Sequence, residues 1–372
     1  MKRSTEVAEY LRVRVLNGDY QLKSLPSERQ LAQEAGVSYM TARKAVQTLI
    51  AEGLLIRDKN GIALVNHGAD LDTEECLSLP IAFLVPTLNS HVVEWWESAI
   101  ETAARRLNRT IRTVLYTRWD DVLLAQALES FQGLFLLPIS GAIPPEVITR
   151  LQHTKRLVVV DEDLSMYGIP SIRIFSPLSV QLLLNHLESL GHERIACLNV
   201  QQQSPVILQR IEQWQLWMNI HGFEGPLLGL ENTPVIHESD GTACGRHGHA
   251  YEVMMHWLDT DRQGVTAVFC TTMPSAIGAI RAITNHGLTV GRDIAVCAAN
   301  GEGYAQYLTP SITALETPDA FPYLKIALDW ISGSTKHWRG ALLLQPVTVP
   351  MFIGESTGVQ QSMSTDGEPV LI

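Results

Sequence analysis

The sequence lacks several features that mark other classes of protein. No apolar run reaches the length of a membrane-spanning helix, and the opening Met1-Lys2-Arg3-Ser4 does not have the pattern of a signal peptide. We therefore expect a cytoplasmic chain. The sequence also contains no P-loop, no Rossmann glycine fingerprint and no nucleophile elbow. Because these motifs are absent, we predict neither enzyme activity nor a bound cofactor.

Cysteine is scarce and odd in number. The five cysteines are scattered along the chain, which favours reduced, buried thiols over a disulfide framework and leaves redox sensing as the minor alternative. Cys244, His247 and His249 form a C-x-x-H-x-H cluster with loose metal-ligand spacing, but no second ligand pair accompanies it. We therefore predict no metal site.

Positive charge is scarce overall but locally concentrated. The 372 residues carry a formal net charge of −11, and the chain is long enough for two or three domains with full cores. Residues 1–66 have ten basic and seven acidic side chains, a net charge of +3. The remaining 306 residues have eighteen basic and thirty-two acidic side chains, a net charge of −14. This division favours an anionic partner, such as nucleic acid, for the first segment alone.

The stretch from residue 25 to residue 49 predicts two short helices joined by a tight turn. Ser27 and Gln30 have the S-x-x-Q spacing of a capping box, and Gly36 is placed to end the first helix. Ser38 caps the second helix, whose buried face takes small and apolar residues at helical spacing, namely Ala42, Ala45, Val46 and Leu49. Its outer face carries Arg43, Lys44 and Gln47. A basic helix set at an angle by a glycine turn has the geometry that enters a DNA major groove.

Further elements flank this helix pair. A helix from about Ser4 to Asn17 precedes it, with Val7, Tyr10, Leu11 and Val15 as the predicted inward stripe and Gly18 at its end. Two short strands, 54–57 and 62–65, follow on either side of an Asn-Gly turn, which is a strong hairpin signal. We expect this hairpin to place Arg57 and Lys59 near DNA phosphates or the minor groove.

Residues 7–65 resemble the winged helix-turn-helix domain of the GntR family, because the signature L-P-S-E-R-x-L-A, G-V-S, T-x-R-x-A and G-L-I is nearly complete. The resemblance implies a DNA-binding domain spanning residues 1–66. By position it implies DNA contacts at Arg29, Ser38, Tyr39, Met40, Thr41, Arg43, Arg57 and Lys59.

Two of these positions depart from the family pattern. Tyr39 stands where arginine is common, and Met40 stands where threonine or serine is common. Tyrosine and methionine offer apolar contact to thymine methyl groups, whereas arginine suits guanine edges. Tyr39 and Met40 are therefore our candidates for sequence discrimination, with packing at a subunit contact as the alternative.

The chain changes character after the hairpin. Residues 67–79 are acidic and lack periodicity, so we predict a linker. From residue 80 to residue 358 short apolar runs alternate with helical segments, and continuous apolarity indicates strands buried on both faces. This pattern predicts an α/β fold with a doubly wound parallel sheet, split into two lobes with a ligand cleft between them. Residues 359–372 are polar and predicted to be a disordered tail.

Residues 80–357 resemble the effector-binding domain of the lactose/galactose-repressor family, which has the type I periplasmic-binding-protein fold. The supporting elements are Leu190-Gly191-His192 with Arg194-Ile195-Ala196, and the run from Gly287 to Val296. A GntR head on such a body is also similar in architecture to the arabinose repressor. By position the resemblance implies effector contacts at Asn89, Ser90, His91, Asp161, Arg210, Met273 and Asn300.

Asp161 and Arg210 are the strongest of these candidates, because a carboxylate and a guanidinium suit vicinal hydroxyls or an acid group. The alternative for each is a surface or hinge ion pair. Three tryptophans offer a ring-stacking face or simple core packing, namely Trp95, Trp96 and Trp119. Thr272-Met273 replaces the Asn-Asp pair usual before the helix that begins nearby, so a sugar-binding carboxylate is missing.

These features together predict a dimeric transcriptional regulator, most simply a repressor, that binds double-stranded operator DNA under the control of a small molecule such as a sugar. Effector binding is expected to close the cleft and to change the spacing of the two heads. Two alternatives remain. One is a constitutive DNA-binding protein with a vestigial or non-sugar cleft. The other is a GntR head on an aminotransferase-like body, which would need a longer chain and a suitably placed lysine.

Overall fold

The computed structural model describes residues 2–16, 19–20, 25–59, 61–65, 81–87, 90–139, 141–201, 204–229, 245–260, 262 and 264–358. The chain divides into two compact units. The first contains Met1–Ile139, Ile143–Arg173 and Ala320–Leu344, and the second contains Ser140–Ala142, Ile174–Asp319 and Gln345–Ile372. The predicted linker and the predicted tail lie outside the described residues.

The first unit begins with three helices and a hairpin, here called the head. The helices are α1 (Lys2–Leu16), α2 (Glu28–Glu34) and α3 (Tyr39–Ala51), and the strands are β1 (Leu55–Arg57) and β2 (Ala63–Val65). The strands pair antiparallel, with Arg57 opposite Ala63. The structure therefore has the predicted winged helix-turn-helix.

The predicted helix ends of the head are confirmed. Ser27 Oγ accepts a hydrogen bond from the Gln30 backbone nitrogen at 3.3 Å, and Gln30 Oε1 accepts from the Ser27 backbone nitrogen at 2.9 Å, so the capping box is complete. Gly36 has a φ of +60°, the left-handed conformation that lets the chain turn after α2. Ser38 caps α3 through the Thr41 backbone nitrogen at 3.2 Å.

The core of the head confirms one helix face and corrects another. Every predicted inward residue of α3 is buried, namely Ala42, Ala45, Val46 and Leu49. Tyr10 of α1 is instead 46% exposed, and Ala8 takes the buried position. The prediction for Tyr10 was wrong because Arg14 holds its ring at the surface. The Arg14 guanidinium lies 5.5 Å from the ring centroid and donates a hydrogen bond to Tyr10 Oη at 3.0 Å.

The first unit also contains a six-stranded sheet in the order β13-β7-β6-β5-β3-β4, with all neighbours parallel. Its strands are β3 (Ile81–Pro86), β4 (Ile111–Tyr116), β5 (Leu134–Leu136), β6 (Leu157–Val160), β7 (Ser171–Ile172) and β13 (Leu343–Leu344). Its helices are α4 (His91–Arg106), α5 (Val122–Ser130), α6 (Pro145–His153) and α11 (Phe321–Ile331).

The second unit has its own six-stranded sheet in the order β14-β12-β11-β10-β8-β9. Its strands are β8 (Ile195–Leu198), β9 (Leu227–Leu228), β10 (Ala267–Cys270), β11 (Ala295–Ala298), β12 (Thr313–Leu315) and β14 (Met351–Phe352). Only β14 pairs antiparallel among the described pairings of this sheet. Its helices are α7 (Val180–Ser189), α8 (Pro205–His221), α9 (Gly245–Leu258) and α10 (Met273–Asn285).

Short 3-10 turns complete the two units at Ser165–Tyr167, Pro177–Ser179, Ala305–Tyr307 and Glu355–Thr357. Within the described ranges, no helix is both long and apolar enough to cross a bilayer.

The two sheets confirm the predicted fold class. The central strands β3, β5, β6, β8, β10 and β11 are buried along their whole length, which is why they read as continuous apolar runs. Sequence reasoning missed β4 because this edge strand mixes buried and exposed residues. It also missed five strands of two or three residues that are too short to show a pattern, namely β7, β9, β12, β13 and β14.

The thiols that the structure describes are buried and unpaired with one another. Cys197, Cys270 and Cys297 lie on adjacent strands of the second sheet, and burial raises the pKa of each thiol. This confirms the expectation of reduced, buried thiols for these three residues. Cys76 and Cys244 lie outside the described residues.

Candidate functional site

The N-terminal turn of α3 presents a mixed apolar and basic surface. Met40 is 66% exposed and Tyr39 is 42% exposed. Arg43 is exposed one turn later. At the same helix end, the hydroxyl groups of Ser38 and Thr41 form a hydrogen bond of 2.8 Å. The predicted base-reading residues therefore share one solvent-facing helix end. The buried face of α3 fixes the helix against the core of the head, so these side chains are carried on a rigid element.

Glu28 connects this helix end to the hairpin. The Tyr39 hydroxyl donates to Glu28 Oε2 at 2.8 Å, and Arg57 Nη2 donates to Glu28 Oε1 at 2.7 Å. Burial by itself would raise the pKa of Glu28, but these two hydrogen bonds and the charges of Arg57 and Arg43 outweigh it, so the pKa is lowered. Sequence reasoning saw Glu28 only as part of a signature, since its partners lie 11 and 29 residues away.

The hairpin holds the remaining predicted DNA contacts. Lys59 is exposed at the turn, whereas Arg57 Nη1 donates to the Gly61 carbonyl oxygen at 2.5 Å. Asp58 Oδ1 accepts from the Ile62 backbone nitrogen at 2.7 Å, which closes the turn. Arg29 is exposed near the start of α2. Lys59 and Arg29 thus point to solvent, while Arg57 makes contacts within the head.

The first sheet brings three of the predicted effector residues to one edge. Ser90 is the N-cap of α4 and His91 is its first residue, both following β3. Asp161 follows β6 with a φ of +74°, and its Oδ1 accepts a hydrogen bond from Trp96 Nε1 at 3.3 Å. In a doubly wound fold, ligands gather beyond the carboxyl ends of the strands, which is where these residues lie. Asn89 lies outside the described residues.

More charged groups follow β6 than the sequence analysis singled out. Burial, together with the neighbouring charge of Asp161, raises the pKa of Glu162 to about 7. Arg173 Nη2 lies 3.9 Å from Asp163 Oδ2, and burial lowers the pKa of Arg173. The position of Glu162 and Asp163 directly after a buried strand is the signal that would have found them.

The burial and ring contacts of the tryptophans near this edge indicate that they pack within the protein. Trp96 is fully buried, and its ring meets that of Trp95 edge-on at 4.8 Å between centroids. Trp119 packs on Tyr116 at 5.8 Å. The Trp96 indole nitrogen is nevertheless committed to Asp161, so this tryptophan also orients a predicted effector contact.

The second sheet positions the other predicted effector residues. Arg210 lies on α8, and its Nη1 donates to the Thr271 carbonyl oxygen at 2.7 Å, just beyond β10. Thr271 in turn donates from Oγ1 to Asn199 Oδ1 at 2.7 Å, beyond β8. Sequence reasoning missed Asn199 and Thr271, although each directly follows an apolar run.

Asn300 follows β11 and is 7% exposed. Its Nδ2 lies 3.5 Å from Glu302 Oε1, and Glu302 Oε2 accepts from the Tyr304 hydroxyl at 2.6 Å. Asn300 Oδ1 is buried and has no hydrogen-bond partner among the residues that the structure describes. A buried carbonyl oxygen without a partner is costly, which makes Asn300 suited to accept a hydrogen bond from a ligand.

Met273 corrects one prediction. It is the first residue of α10 and is completely buried among the apolar side chains between that helix and the second sheet. Its side chain therefore stabilises the packing of α10 and does not line an exposed effector surface.

The C-x-x-H-x-H cluster is only partly described, because Cys244 lies outside the described residues. Within those residues, no group of three potential metal-ligating side chains occurs. His247 and His249 lie in the first turn and a half of α9.

Two family models match the chain. Residues 3–65 match bacterial regulatory proteins of the gntR family, and residues 184–320 match a periplasmic binding protein-like domain. The first match coincides with the head, and the second covers β8 to β12 of the second unit and ends one residue beyond that unit's segment Ile174–Asp319. The matched relatives are regulators, in agreement with the prediction of a DNA-binding regulator and not an aminotransferase-like enzyme.

Individual proteins give the same assignment. The chain is 32% identical over 126 residues to the HTH-type transcriptional regulator MalR of Clostridium butyricum, covering 32% of this chain and only 37% of MalR. It is 24% identical over 264 residues to the ribose operon repressor of Haemophilus influenzae, covering 66% of this chain and 67% of that protein. A LacI family regulator from Enterococcus faecium with bound ribose aligns with a TM-score of 0.58 at 19% identity, covering 75% of this chain and 98% of that one. This last similarity establishes the shared fold.

Proposed function

We propose that this chain, which joins a gntR-family DNA-binding domain to a periplasmic binding protein-like domain, is a transcriptional repressor controlled by a sugar or sugar derivative. The observation that carries the proposal is the solvent-facing end of α3, where Tyr39, Met40 and Arg43 stand together on a rigid helix within the matched domain. A helix so placed reads base edges in the major groove.

The proposed DNA contacts divide by chemistry. Arg43 suits guanine edges or phosphates, and Tyr39 and Met40 suit thymine methyl groups. Arg29 and Lys59 are exposed cations that suit phosphate contacts. Ser38 and Thr41 form the hydroxyl pair at the start of α3 and complete the surface.

The proposed effector contacts are polar groups at the carboxyl edges of the two sheets. Asp161, Ser90 and His91 follow strands of the first sheet. Arg210 donates to the Thr271 carbonyl oxygen beyond β10 of the second sheet, and Asn300 follows β11 of the same sheet. The Asn300 side-chain carbonyl oxygen suits a hydroxyl donor. A sugar is favoured because the proteins similar to this chain include a ribose operon repressor and a regulator with bound ribose.

Linkage makes the effects of effector and DNA on each other's affinity reciprocal. If the effector binds more tightly to the DNA-free form, it lowers operator affinity by the same factor by which DNA lowers effector affinity. A coupling of about 1–3 kcal/mol, or roughly 5–150-fold, is typical of such systems. Release of DNA by the effector would make the protein an inducible repressor.

DNA recognition is tested first by selecting operators from a random duplex library with the full chain. Arg43→Ala should then weaken binding to the selected duplex by roughly 5–150-fold, since a good bidentate contact is worth about 1–3 kcal/mol. Lys325→Ala, an exposed lysine on α11 of the same unit, is the control for an altered charge outside the head. Unchanged affinity of Arg43→Ala would contradict the assignment of α3 as the recognition helix.

Effector binding is tested by a thermal-shift screen of the full chain against pentoses, hexoses, deoxysugars, sugar acids and sugar phosphates. A ligand at about a hundred times its Kd adds roughly 2.7 kcal/mol to the free energy of unfolding and so raises the Tm. Arg210→Ala and Asp161→Asn should abolish the shift, while Arg281→Ala, an exposed residue of α10, should retain it. A flat screen would favour the constitutive alternative or a non-sugar effector and would leave the DNA proposal standing.

A further inference from the structure

The ion pair between Glu28 and Arg57 is better protected from solvent than most pairs in the head. The Glu28 side chain is 15% exposed and the Arg57 side chain 37%, with a contact of 2.7 Å. The same carboxylate accepts the Tyr39 hydroxyl on its other oxygen at 2.8 Å. One carboxylate thus uses both oxygens to connect the first residue of α2 with the first residue of α3 and the last residue of β1.

The second half of the Arg57 guanidinium is also engaged. Its Nη1 donates to the Gly61 carbonyl oxygen across the hairpin turn. Arg57 therefore ties the turn to Glu28, and both ends of its planar group are used within the protein. A guanidinium engaged in this way on a carboxylate adds little net positive charge to the DNA-facing surface.

From this geometry we propose that Glu28 is a positioning residue for DNA recognition, which holds the Tyr39 ring and the hairpin turn in one fixed arrangement and neutralises Arg57. The inference rests on the proposed DNA-binding function and assigns Arg57 an internal role in place of the phosphate contact that the sequence suggested. Specificity then depends on a residue that need not touch a base, because pre-ordered side chains lose less freedom on binding.

Glu28→Gln is expected to change DNA binding by releasing Arg57. A glutamine keeps the shape of the side chain but loses the charge that holds Arg57. The freed arginine gains phosphates as partners, so affinity for a random-sequence duplex should rise several-fold. The slope of log affinity against log salt should steepen by about 0.9, the value for one added phosphate contact. The ratio of specific to non-specific affinity should fall about tenfold.

Tyr39→Phe tests the contact of Glu28 with Tyr39 separately from its contact with Arg57. It removes the hydroxyl that Glu28 accepts and leaves both the charge pair and the aromatic ring. We expect a lower specificity ratio with no change in the salt slope. Glu34→Gln is the matched control, because Glu34 lies on the same helix and its removal changes the charge equally, but its ion pair is with Arg14 and not with the hairpin.

The experiment uses the full chain and two kinds of readout. The first is the affinity for the selected duplex and for a random-sequence duplex as a function of salt. The second needs no DNA and measures the initial rate of trypsin cleavage after Lys59 at the tip of the hairpin. Glu28→Gln should accelerate this cleavage at least fivefold, because the turn loses its anchor, while Glu34→Gln should cleave at the wild-type rate.

The outcomes separate the alternatives. A wild-type cleavage rate in Glu28→Gln overturns the proposal, whatever the DNA results. A changed base preference with an unchanged cleavage rate means that Glu28 reads a base directly, which also overturns it. Higher non-specific affinity with an unchanged specificity ratio reduces Glu28 to a repulsive charge and overturns it as well. If the wild-type chain selects no DNA, the proposed function fails, while the protease measurement still judges the anchoring contact separately.

Discussion

Glu162 is a carboxyl group that remains protonated close to neutral pH, beside the proposed effector residue Asp161. Burial, and to a smaller extent the charge of Asp161, raises its pKa to about 7. The folded protein therefore holds a proton that the unfolded chain releases near pH 4.5. A protonated carboxyl group can donate a hydrogen bond, which an ionised one cannot.

The pH dependence of stability tests this assignment. Because the pKa is raised in the folded state, the contribution of Glu162 is favourable at low pH and is lost as the pH rises from about 4.5 to about 7. Glu162→Gln cannot titrate, so its stability relative to wild type should increase over this window by up to about 3 kcal/mol. Urea unfolding at pH 5 and pH 8 measures the difference. Glu146→Gln, an exposed acid of the same unit, should show no such change, and an equal response of both variants would contradict the assignment.

At the scale of elements, the close packing of α9 and α10 explains a glycine in the middle of α10. Gly278 lies on α10, and a Cβ atom added there would stand 2.3 Å from the His247 carbonyl oxygen and 2.8 Å from the Tyr251 backbone nitrogen of α9. Backbone atoms of a helix cannot move aside as a flexible side chain can. The glycine therefore sets the distance between the two helices.

We expect Gly278→Ala to reduce the free energy of unfolding by about 2 kcal/mol or more, within the range known for overpacked cores, although alanine is the better helix former. Thermal unfolding followed by near-UV circular dichroism measures the loss. Arg281→Ala, on the exposed face of the same helix, should be nearly neutral. A stable Gly278→Ala variant would show that α9 can shift without cost.

At the scale of the whole molecule, charge is divided between the head and the remainder of the chain. The net charge of +3 over residues 1–66 accompanies few exposed cations, among them Arg29, Arg43, Lys44 and Lys59. Each phosphate contact contributes to affinity through counterion release, so one head offers weak binding by itself. The acidic remainder, with a net charge of −14, disfavours non-specific contact with DNA.

Useful operator affinity therefore calls for two heads, and we expect a twofold dimer on a pseudo-palindromic site. Sedimentation equilibrium should give twice the chain mass of 41.2 kDa. Operators selected by the chain should contain two half-sites separated by one helical turn or a multiple of it. A monomer that binds a single half-site with full affinity would contradict this expectation.

The sequence by itself determined the elements whose signals are local. The capping box of Ser27 and Gln30, the buried face of α3 and the continuous apolar strands were all predicted, because capping and burial periodicity act over a few residues. The fold class followed from these patterns, with the alternation of strands and helices indicating parallel sheets. The identity of the candidate site residues came from motif positions, and so their surroundings stayed open.

Only the tertiary structure decided those surroundings. Met273 is in the core, against the prediction, because residues of other elements surround it. Tyr10 is at the surface, also against the prediction, beside Arg14 one turn further along the same helix. The partners of Glu28 and Asp161 lie 11 to 65 residues away, and β13 joins β7 across more than 170 residues. Sequence patterns report how each segment buries its own apolar face. Which polar groups then meet depends on how distant segments pack, and no local pattern carries that information.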